Sequence, residues 1–131
     1  MPVYYRLDPA RGFIRTSCTG EVRLEQVLRH FDELERDPAR PSPLNVLLDF
    51  TGLETLPNGE QVRAVSDRVG RVRTFAFGAC AIVADHDPAY GIARMFSTMA
   101  ERCLRAVGDF RSRADAELWL APHLTAPGGA R

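Results

Sequence analysis

Two groups of polar residues contain the side chains in this sequence that are best suited to chemistry. Asp49, Thr51 and Asn58 lie at or soon after the end of one apolar run, and Asp85 and His86 follow another. Carboxylate oxygens and imidazole nitrogens can bind a divalent cation or transfer protons. A metal or acid–base site built from Asp49, Asp85 and His86 is therefore one interpretation.

A structural role explains the same residues without any metal or catalytic site. Asp87 is followed by Pro88, a pair that is typical of the point where a helix begins. Asp49 can hydrogen-bond its own loop and His86 can be a solvated turn residue, because short polar side chains often bond nearby backbone groups. Both interpretations stay open at the level of sequence.

Tyr90 and Arg94 follow the second polar group and are four residues apart, which is about one helical turn. Tyr and Arg are enriched at the energetic centres of protein interfaces. The alternative is that Tyr90 packs over a strand end and Arg94 pairs with Asp85 or Asp87. The residues of this predicted binding edge are Asp49, Thr51, Asn58, Asp85, His86, Tyr90 and Arg94.

Motifs of familiar enzyme chemistry are missing. The sequence has no Gly-x-Ser-x-Gly phrase, no glycine-rich phosphate loop and only three His residues. Its three cysteines, Cys18, Cys80 and Cys103, have no metal-ligand spacing and cannot all pair in disulfides. We expect no catalytic residues, no metal, no cofactor, and free, largely buried thiols.

The charge balance restricts the classes of partner. The 131 residues include 17 basic and 17 acidic side chains, so the formal net charge is zero. Nucleic-acid binders normally have a basic excess or a basic face, so we expect no nucleic-acid partner. No apolar run approaches the roughly 20 residues that span a bilayer, and the N-terminus lacks a signal-peptide pattern. The expected location is the cytoplasm, without integral membrane association.

Hydrophobic periodicity predicts nine elements that position these residues. Runs rich in β-branched and aromatic residues predict strands over residues 3–7, 13–18, 44–50, 75–84 and 107–111. Helical spacing of apolar residues predicts helices over residues 24–35 and 59–72, a third that starts at Asp87, and a fourth after Ser112. Asn58, Asp87 and Ser112 are the predicted N-caps, and His30 falls on the polar face of the first helix.

The order β-β-α-β-α-β-α-β-α indicates an α/β fold. It predicts a mostly parallel central sheet with an antiparallel N-terminal edge hairpin and helices on both faces. The chain length fits one domain, predicted over residues 1–124, and the Pro-Gly-Gly segment predicts a flexible tail over residues 125–131. Ligands of such sheets bind beyond the carboxyl ends of the strands, where the predicted binding edge lies.

This order and three local phrases resemble the STAS fold of bacterial anti-sigma-factor antagonists. The phrases are VLLDFTGL at residues 46–53, YGIARMF at residues 90–96, and FRS at residues 110–112 with Ala116 and Trp119 after it. The chain is more similar still to stand-alone SpoIIAA-like proteins of unsettled function, over about residues 1–122. The resemblance implies a regulatory or protein-binding module without catalytic activity.

One position departs from the antagonists. They carry a phosphorylatable Ser in an Asp-Ser-Ser-Gly phrase, at the start of the helix that follows the Asp-containing strand. This sequence has Pro57-Asn58-Gly59 in that place, and Asn58 cannot be phosphorylated. The resemblance therefore implies a regulator that lacks the usual phosphorylation switch.

Three functions follow from these observations. The first is a non-catalytic regulatory module that docks a protein partner at the predicted binding edge. The second, implied by the resemblance of STAS-like folds to lipid-binding proteins, is a carrier of a small apolar ligand or lipid in a pocket of at least ~300 Å³ between sheet and helices. The third is a metal-assisted hydrolase using Asp49, Asp85 and His86. A homodimer is also expected, because the opening hairpin leaves a sheet edge to cover.

Overall fold

A tight turn joins the first two strands of the protein. In the computed structural model, which describes residues 3–124, Gly12 adopts a left-handed backbone conformation with a φ of 64°. Glycine reaches this region without a steric penalty, so the chain can turn back there after a single 3₁₀ turn. The two strands, β1 (Val3–Asp8) and β2 (Phe13–Glu21), pair antiparallel, which confirms the predicted hairpin.

The other elements alternate between helix and strand, as predicted. They are α1 (Leu24–Arg36), β3 (Leu44–Thr55), α2 (Gly59–Gly70), β4 (Phe77–Val83), α3 (Asp87–Ala100), β5 (Ala106–Phe110) and α4 (Arg113–Leu120). Short 3₁₀ turns follow α3 and α4. The tail predicted over residues 125–131 lies outside the described residues.

The five strands lie in the sheet in the same order as along the chain, β1-β2-β3-β4-β5. Within the described part of the chain, β1 and β2 pair antiparallel and the later neighbours pair in parallel. Parallel crossovers are almost always right-handed, so this order is expected to place α1, α2 and α3 on one face. Their packing agrees, because Phe31, Val62 and Phe96 join Ile14 of β2 in one core cluster.

Within residues 3–124, α4 is the helix that covers the opposite face of the sheet. Its Ala116 and Leu120 are buried against Phe13 and Leu47 in a second core cluster. The amide of Asn45, a buried polar residue of β3, donates a hydrogen bond to the carbonyl of His123 just beyond α4. The prediction of an α/β fold with helices on both faces is confirmed, with three helices on one face and one on the other.

Two strands are longer than predicted. β2 continues through Gly20, whose φ of 65° a glycine accepts readily, and β3 continues to Thr55. Beyond the end of β4 these extensions pair with each other, as in the register of Gly20 with Leu53. Leu53 is buried there, which stabilises the extension. Thr51 therefore lies in a strand, and the prediction that this strand ends at residue 50 is wrong.

The cysteine predictions are confirmed in part. All three thiols are free, and burial is the main reason that the pKa of Cys18 and of Cys80 rises to about 12. Cys103 is exposed, contrary to prediction, because α3 ends at Ala100 and Cys103 lies in the 3₁₀ turn after it.

None of the helices between residues 3 and 124 combines the length and the hydrophobicity that crossing a membrane requires.

Candidate functional site

Asp49 is a nearly buried carboxylate close to where β3 leaves the central part of the sheet. Its Oδ1 accepts hydrogen bonds from the backbone N–H of Thr51 at 2.9 Å and from the Thr51 hydroxyl at 2.7 Å. Its Oδ2 accepts a hydrogen bond from the guanidinium of Arg113, the first residue of α4. Both oxygens of Asp49 are therefore engaged by the protein itself.

These contacts determine the charge of Asp49. Burial by itself would raise the pKa of this carboxyl group, but the hydrogen bonds from Thr51 and the positive charge of Arg113 outweigh it, and the pKa is lower than usual. Asp49 is therefore ionised at neutral pH and serves as a structural anion. The predicted edge omitted Arg113, although the rule that places Asp49 there also applies to residues that follow β5.

Asp85 and His86 follow β4 and lie at the protein surface. Oδ1 of Asp85 is 3.2 Å from Nδ1 of His86, and about half of each side chain is exposed, 55% and 48% respectively. An exposed pair of this kind adds little to stability. The two side chains are accessible to a partner, as the predicted binding edge requires.

Asp87 is not the N-cap of α3, although the sequence predicts that role. α3 begins at Asp87, so His86 occupies the N-cap position, and it makes no side-chain capping bond. Oδ1 of Asp87 instead lies 2.8 Å from a guanidinium nitrogen of Arg111. The guanidinium carbon of Arg111 is 4.2 Å from the centroid of the Tyr90 ring. Arg111 thus pairs with Asp87 and lies over Tyr90 in a cation–π arrangement, and it is a second residue that the predicted binding edge omitted.

Arg94 lies one turn further along α3 and is exposed. The ion pairs found among residues 3–124 do not include it, and Asp85 and Asp87 pair with His86 and Arg111 instead. Burial raises the pKa of the nearby Asp109 above its ordinary value, although a hydrogen bond from Ser97 and the charge of Arg94 act against the rise. The guanidinium of Arg94 therefore remains available at the surface.

Asn58 caps α2, as predicted. Its Oδ1 accepts a hydrogen bond from the backbone N–H of Gln61, and the Gln61 side-chain oxygen accepts one from the Asn58 backbone N–H, each at 2.9 Å. This reciprocal capping box satisfies donors that the first turn of a helix leaves unpaired. Asn58 is otherwise exposed, so its side-chain NH₂ can still reach a partner.

The residues proposed for metal or acid–base chemistry do not form one cluster. Asp49 bonds to Thr51 and Arg113, while Asp85 pairs with His86. Over the part of the chain that the structure describes, no group of three or more His, Cys, Asp or Glu side chains is arranged to hold a metal ion. The geometry gives the hydrolase interpretation no assembled site.

A cavity of about 140 Å³ lies between the sheet and the three helices on its larger face. Its lining is largely aliphatic and aromatic, with Ile14 and Val46 from strands and Phe31, Val62 and Phe96 from helices. The volume is below the ~300 Å³ expected of a site for a drug-sized or lipid-sized ligand. It is close to the roughly 150 Å³ of apolar cavities that admit benzene.

His30 of α1 lines this cavity and is buried, so its predicted place on the polar face is wrong. Its ring packs edge-on against Tyr5 and Phe31, with centroids 5.2 and 5.5 Å away. Burial lowers the pKa of His30 to about 4, and the imidazole is neutral at pH 7. The signal was available, because Val27 and Leu34 lie three and four residues away on the same helical face.

The architecture has a counterpart among solved structures. The crystal structure of an uncharacterised protein of the DUF3478 family from Shewanella loihica PV-4, with a SpoIIAA-like fold, aligns with a TM-score of 0.57 over 90% of this chain and 91% of that one. This chain has a SpoIIAA-like fold. The two sequences are 15% identical, so the likeness is one of fold. No protein-family model and no curated protein matches the sequence.

The SpoIIAA-like fold confirms the resemblance drawn from element order and local phrases. The phrase at residues 46–53 spans β3 through its extension, and the phrase at residues 90–96 lies within α3. Both therefore lie in elements that supply residues of the predicted binding edge.

Proposed function

We propose that this SpoIIAA-like protein is a non-catalytic regulatory module that docks a protein partner at the carboxyl edge of its sheet. The observation that carries the proposal is the exposed Arg94, one turn along α3 from the Tyr90 ring that Arg111 covers. Arg and Tyr are common anchors of protein interfaces, where a few side chains supply most of the binding energy.

The grouping of charged and aromatic side chains supports this edge as the docking surface. The Arg111 guanidinium lies over the Tyr90 ring and pairs with the exposed carboxylate of Asp87. Arg94 is free to form a forked, charge-assisted contact with a carboxylate. The expected partner therefore presents an Asp or Glu side chain to Arg94.

The hydrogen bonds that occupy the Asp49 carboxylate support a role without catalysis. A general base or a metal ligand needs lone pairs that face a substrate or an ion. Thr51 and Arg113 occupy both oxygens of Asp49. The exposed Asp85–His86 pair is solvated and would act in recognition.

The residue that caps α2, Asn58, differs from the residue that a phosphorylation switch requires. The resemblance implies a phosphorylatable Ser at the start of α2, and Asn58 stands in its place with its Oδ1 bound to the Gln61 N–H. We propose that docking does not depend on phosphorylation at this position, because Asn58 has no hydroxyl to modify.

Affinity purification of the tagged protein from its own host tests the proposal. Wild type is compared with Arg94→Ala and with Arg29→Ala, a matched control that removes an exposed Arg from α1. A partner is expected to co-purify with wild type and with Arg29→Ala, and to bind Arg94→Ala at least about 30-fold more weakly in a titration with the purified partner. Far-ultraviolet circular dichroism checks that each variant is folded.

Equal affinity of the partner for wild type and for Arg94→Ala would remove Arg94 from the site. Loss of affinity in both Arg94→Ala and Arg29→Ala would point to general charge attraction instead of docking at this edge.

The cavity favours a second candidate function, the carriage of a small apolar ligand. At about 140 Å³ it has room for a molecule the size of one aromatic ring, and not for a long-chain lipid. Mass spectrometry of small molecules retained in the same purification addresses this candidate. A bound metabolite without any protein partner would replace the docking proposal.

A further inference from the structure

β1 forms one outer edge of the sheet of this SpoIIAA-like protein. Within residues 3–124 its neighbouring strand is β2, so the other side of its backbone offers N–H and C=O groups that no strand pairs. Tyr4 of this strand is 50% exposed, and its ring offers a large contact area. This edge is therefore a surface that a further β-strand can cover.

We propose that β1 of a second copy covers this edge and pairs antiparallel about a two-fold axis at Tyr5. The two sheets then join into one continuous sheet that contains the five strands of each copy. A dimer at a sheet edge is expected from the sequence alone, whereas the choice of edge and its register come from the structure. Docking of a partner at the carboxyl edge does not require this dimer.

The residues of β1 are self-complementary about Tyr5. An antiparallel two-fold axis at this residue places Val3 opposite Leu7 of the second copy, and Tyr4 opposite Arg6. Val3 and Leu7 lie on the face that α1 covers, so their pairing adds apolar contact there. Tyr4 and Arg6 lie on the other face, where each guanidinium can stack on the opposite ring in a cation–π contact.

Arg6 has no favourable charge partner among the described residues. Its side chain is exposed, and the ion pairs and cation–π contacts found within residues 3–124 do not include it. The residue opposite Arg6 on β2 is Arg15, a like charge that is unfavourable in a sheet. Arg15 pairs with Glu117 at 2.8 Å. Repulsion from Arg15 therefore favours a position of the Arg6 guanidinium towards the open side of β1.

Other two-fold registers of β1 are less favourable. An axis at Arg6 places the two Arg6 side chains opposite each other, which is a like-charge pair. An axis at Tyr4 or at Leu7 pairs only three strand residues of each copy, because β1 spans Val3–Asp8. The axis at Tyr5 pairs five residues, 3–7, without opposing like charges.

β5, the strand at the other edge of the sheet, is not self-complementary. It spans Ala106–Phe110, and a two-fold axis at its central Gly108 places Val107 opposite Asp109. An apolar side chain opposite a carboxylate gives no favourable cross-strand pair. A central glycine also weakens the pairing, because it has no side chain to pack. The edge at β1 is therefore the one that fits a second copy.

The helix next to β1 adds a second contact to the dimer. The Tyr5 hydroxyl donates a hydrogen bond of 2.9 Å to Asp37 just after α1, and the Tyr5 ring packs against His30 of α1. The two-fold axis at Tyr5 therefore brings α1 of the two copies near each other in antiparallel orientation. Glu33 and Arg36 are exposed on this helix, so opposite charges can pair between the copies.

The dimer leaves both docking edges open. Tyr90 and Arg94 lie on α3, which contacts β5, the strand furthest from β1 in the sheet. Each dimer therefore presents two docking edges. A partner that carries two copies of its binding segment gains affinity when both are bound at once.

Cross-linking between two cysteine variants tests the register. Tyr4→Cys and Arg6→Cys are each made in a Cys103→Ser background, which removes the exposed thiol and leaves Cys18 and Cys80 buried. Opposite residues of antiparallel strands have Cβ atoms about 4.5–5.5 Å apart, close to the separation in a disulfide. With oxidised glutathione as the oxidant, a mixture of the two variants is expected to give at least about threefold more covalent dimer than either variant alone.

Sedimentation velocity measures the same interface without a covalent bond. Arg6→Ala removes both cation–π contacts of the dimer, so the dimer dissociation constant is expected to rise at least about fivefold. Arg102→Ala removes an exposed Arg beyond α3 and is the matched control, which should leave this constant unchanged. Tyr4→Lys places a like charge opposite Arg6 and is expected to prevent dimerisation. Addition of Arg6→Glu to Tyr4→Lys is expected to restore it, because opposite charges then face each other.

Two outcomes overturn the proposal and are distinguishable. A single-chain mass at the highest concentration, with no covalent dimer in the mixture, would show that no dimer forms, while docking at the carboxyl edge would stand. A dimer whose dissociation constant is the same in Arg6→Ala as in wild type, or whose cross-linking is no greater in the mixture, would place the interface elsewhere. Tyr4 and Arg6 are exposed, so their replacement leaves the core intact, and far-ultraviolet circular dichroism checks that each variant is folded.

Discussion

At the scale of single residues, His30 makes the stability of the protein depend on pH. Its pKa is 6.5 in an ordinary environment and about 4 in the folded protein, so the unfolded chain binds the proton more tightly. The stabilisation is fully present above about pH 6.5 and is lost as pH falls towards 4. Between pH 7 and pH 4.5 we expect His30 to lower the free energy of unfolding by about 2 kcal/mol.

Urea unfolding at pH 7 and pH 4.5 measures this effect. Carboxylates such as Asp49 also lose stabilising contacts in acid, since the pKa of Asp49 is below its usual value. Comparison of wild type with His30→Phe removes this common contribution, and the variant should lose less stability on acidification. Identical pH dependence in the two proteins would show that His30 is solvated.

Asp49 illustrates how one residue can join distant parts of the chain. It lies in β3, and its partner Arg113 begins α4, 64 residues later. Because the Arg113 side chain is more than half exposed, at 57%, the ion pair by itself contributes little. The hydrogen bonds to Thr51 explain why this carboxylate is nearly buried and ionised.

At the scale of elements, α2 depends on its cap at Asn58. Replacement by Ala removes the acceptor for the Gln61 N–H, and we expect Asn58→Ala to lower the free energy of unfolding by about 1 kcal/mol. Asn58→Ser keeps an oxygen acceptor and should change stability by only a few tenths of a kcal/mol. Thermal or urea unfolding measures both. An equal loss in the two variants would mean that the cap geometry is not what stabilises the start of α2.

The lengths of β2 and β3 also depend on contacts between elements. Gly20 and the polar residues around Leu53 indicate a turn or loop when each segment is considered alone. The two segments nevertheless pair with each other beyond β4, and Leu53 is buried against Val3 and Cys18. Pairing with a neighbour and burial of an apolar side chain outweighed the local preference.

At the scale of the whole molecule, the sheet has two edges. β1 and β5 each have one neighbouring strand within the described residues, and the sequence predicts a symmetric dimer that covers such an edge. Sedimentation velocity over a range of protein concentrations should show a species with twice the mass of one chain. A single-chain mass at the highest concentration would contradict this prediction.

Most of the fold could be predicted from the sequence, but less of the candidate site. The predictions of the opening hairpin and of the caps at Asn58 and Ser112 are correct, because turn and cap chemistry acts over a few residues. The order of strands and helices predicted that Asp49 and Tyr90 lie at the carboxyl edge of the sheet. It did not predict the partners of these two residues, Arg113 and Arg111, because their contacts depend on how the segment after β5 packs against β3 and α3.

The sequence by itself determined the order of strands and helices, their approximate ends and the lack of familiar catalytic motifs. These depend on hydrophobic periodicity and on residue types within short windows. Only the tertiary structure decided that Asp49 binds Arg113, that Arg111 pairs with Asp87 and lies over Tyr90, and that His30 lines a cavity. Side-chain partners and cavities depend on how distant elements pack together, which no local pattern specifies.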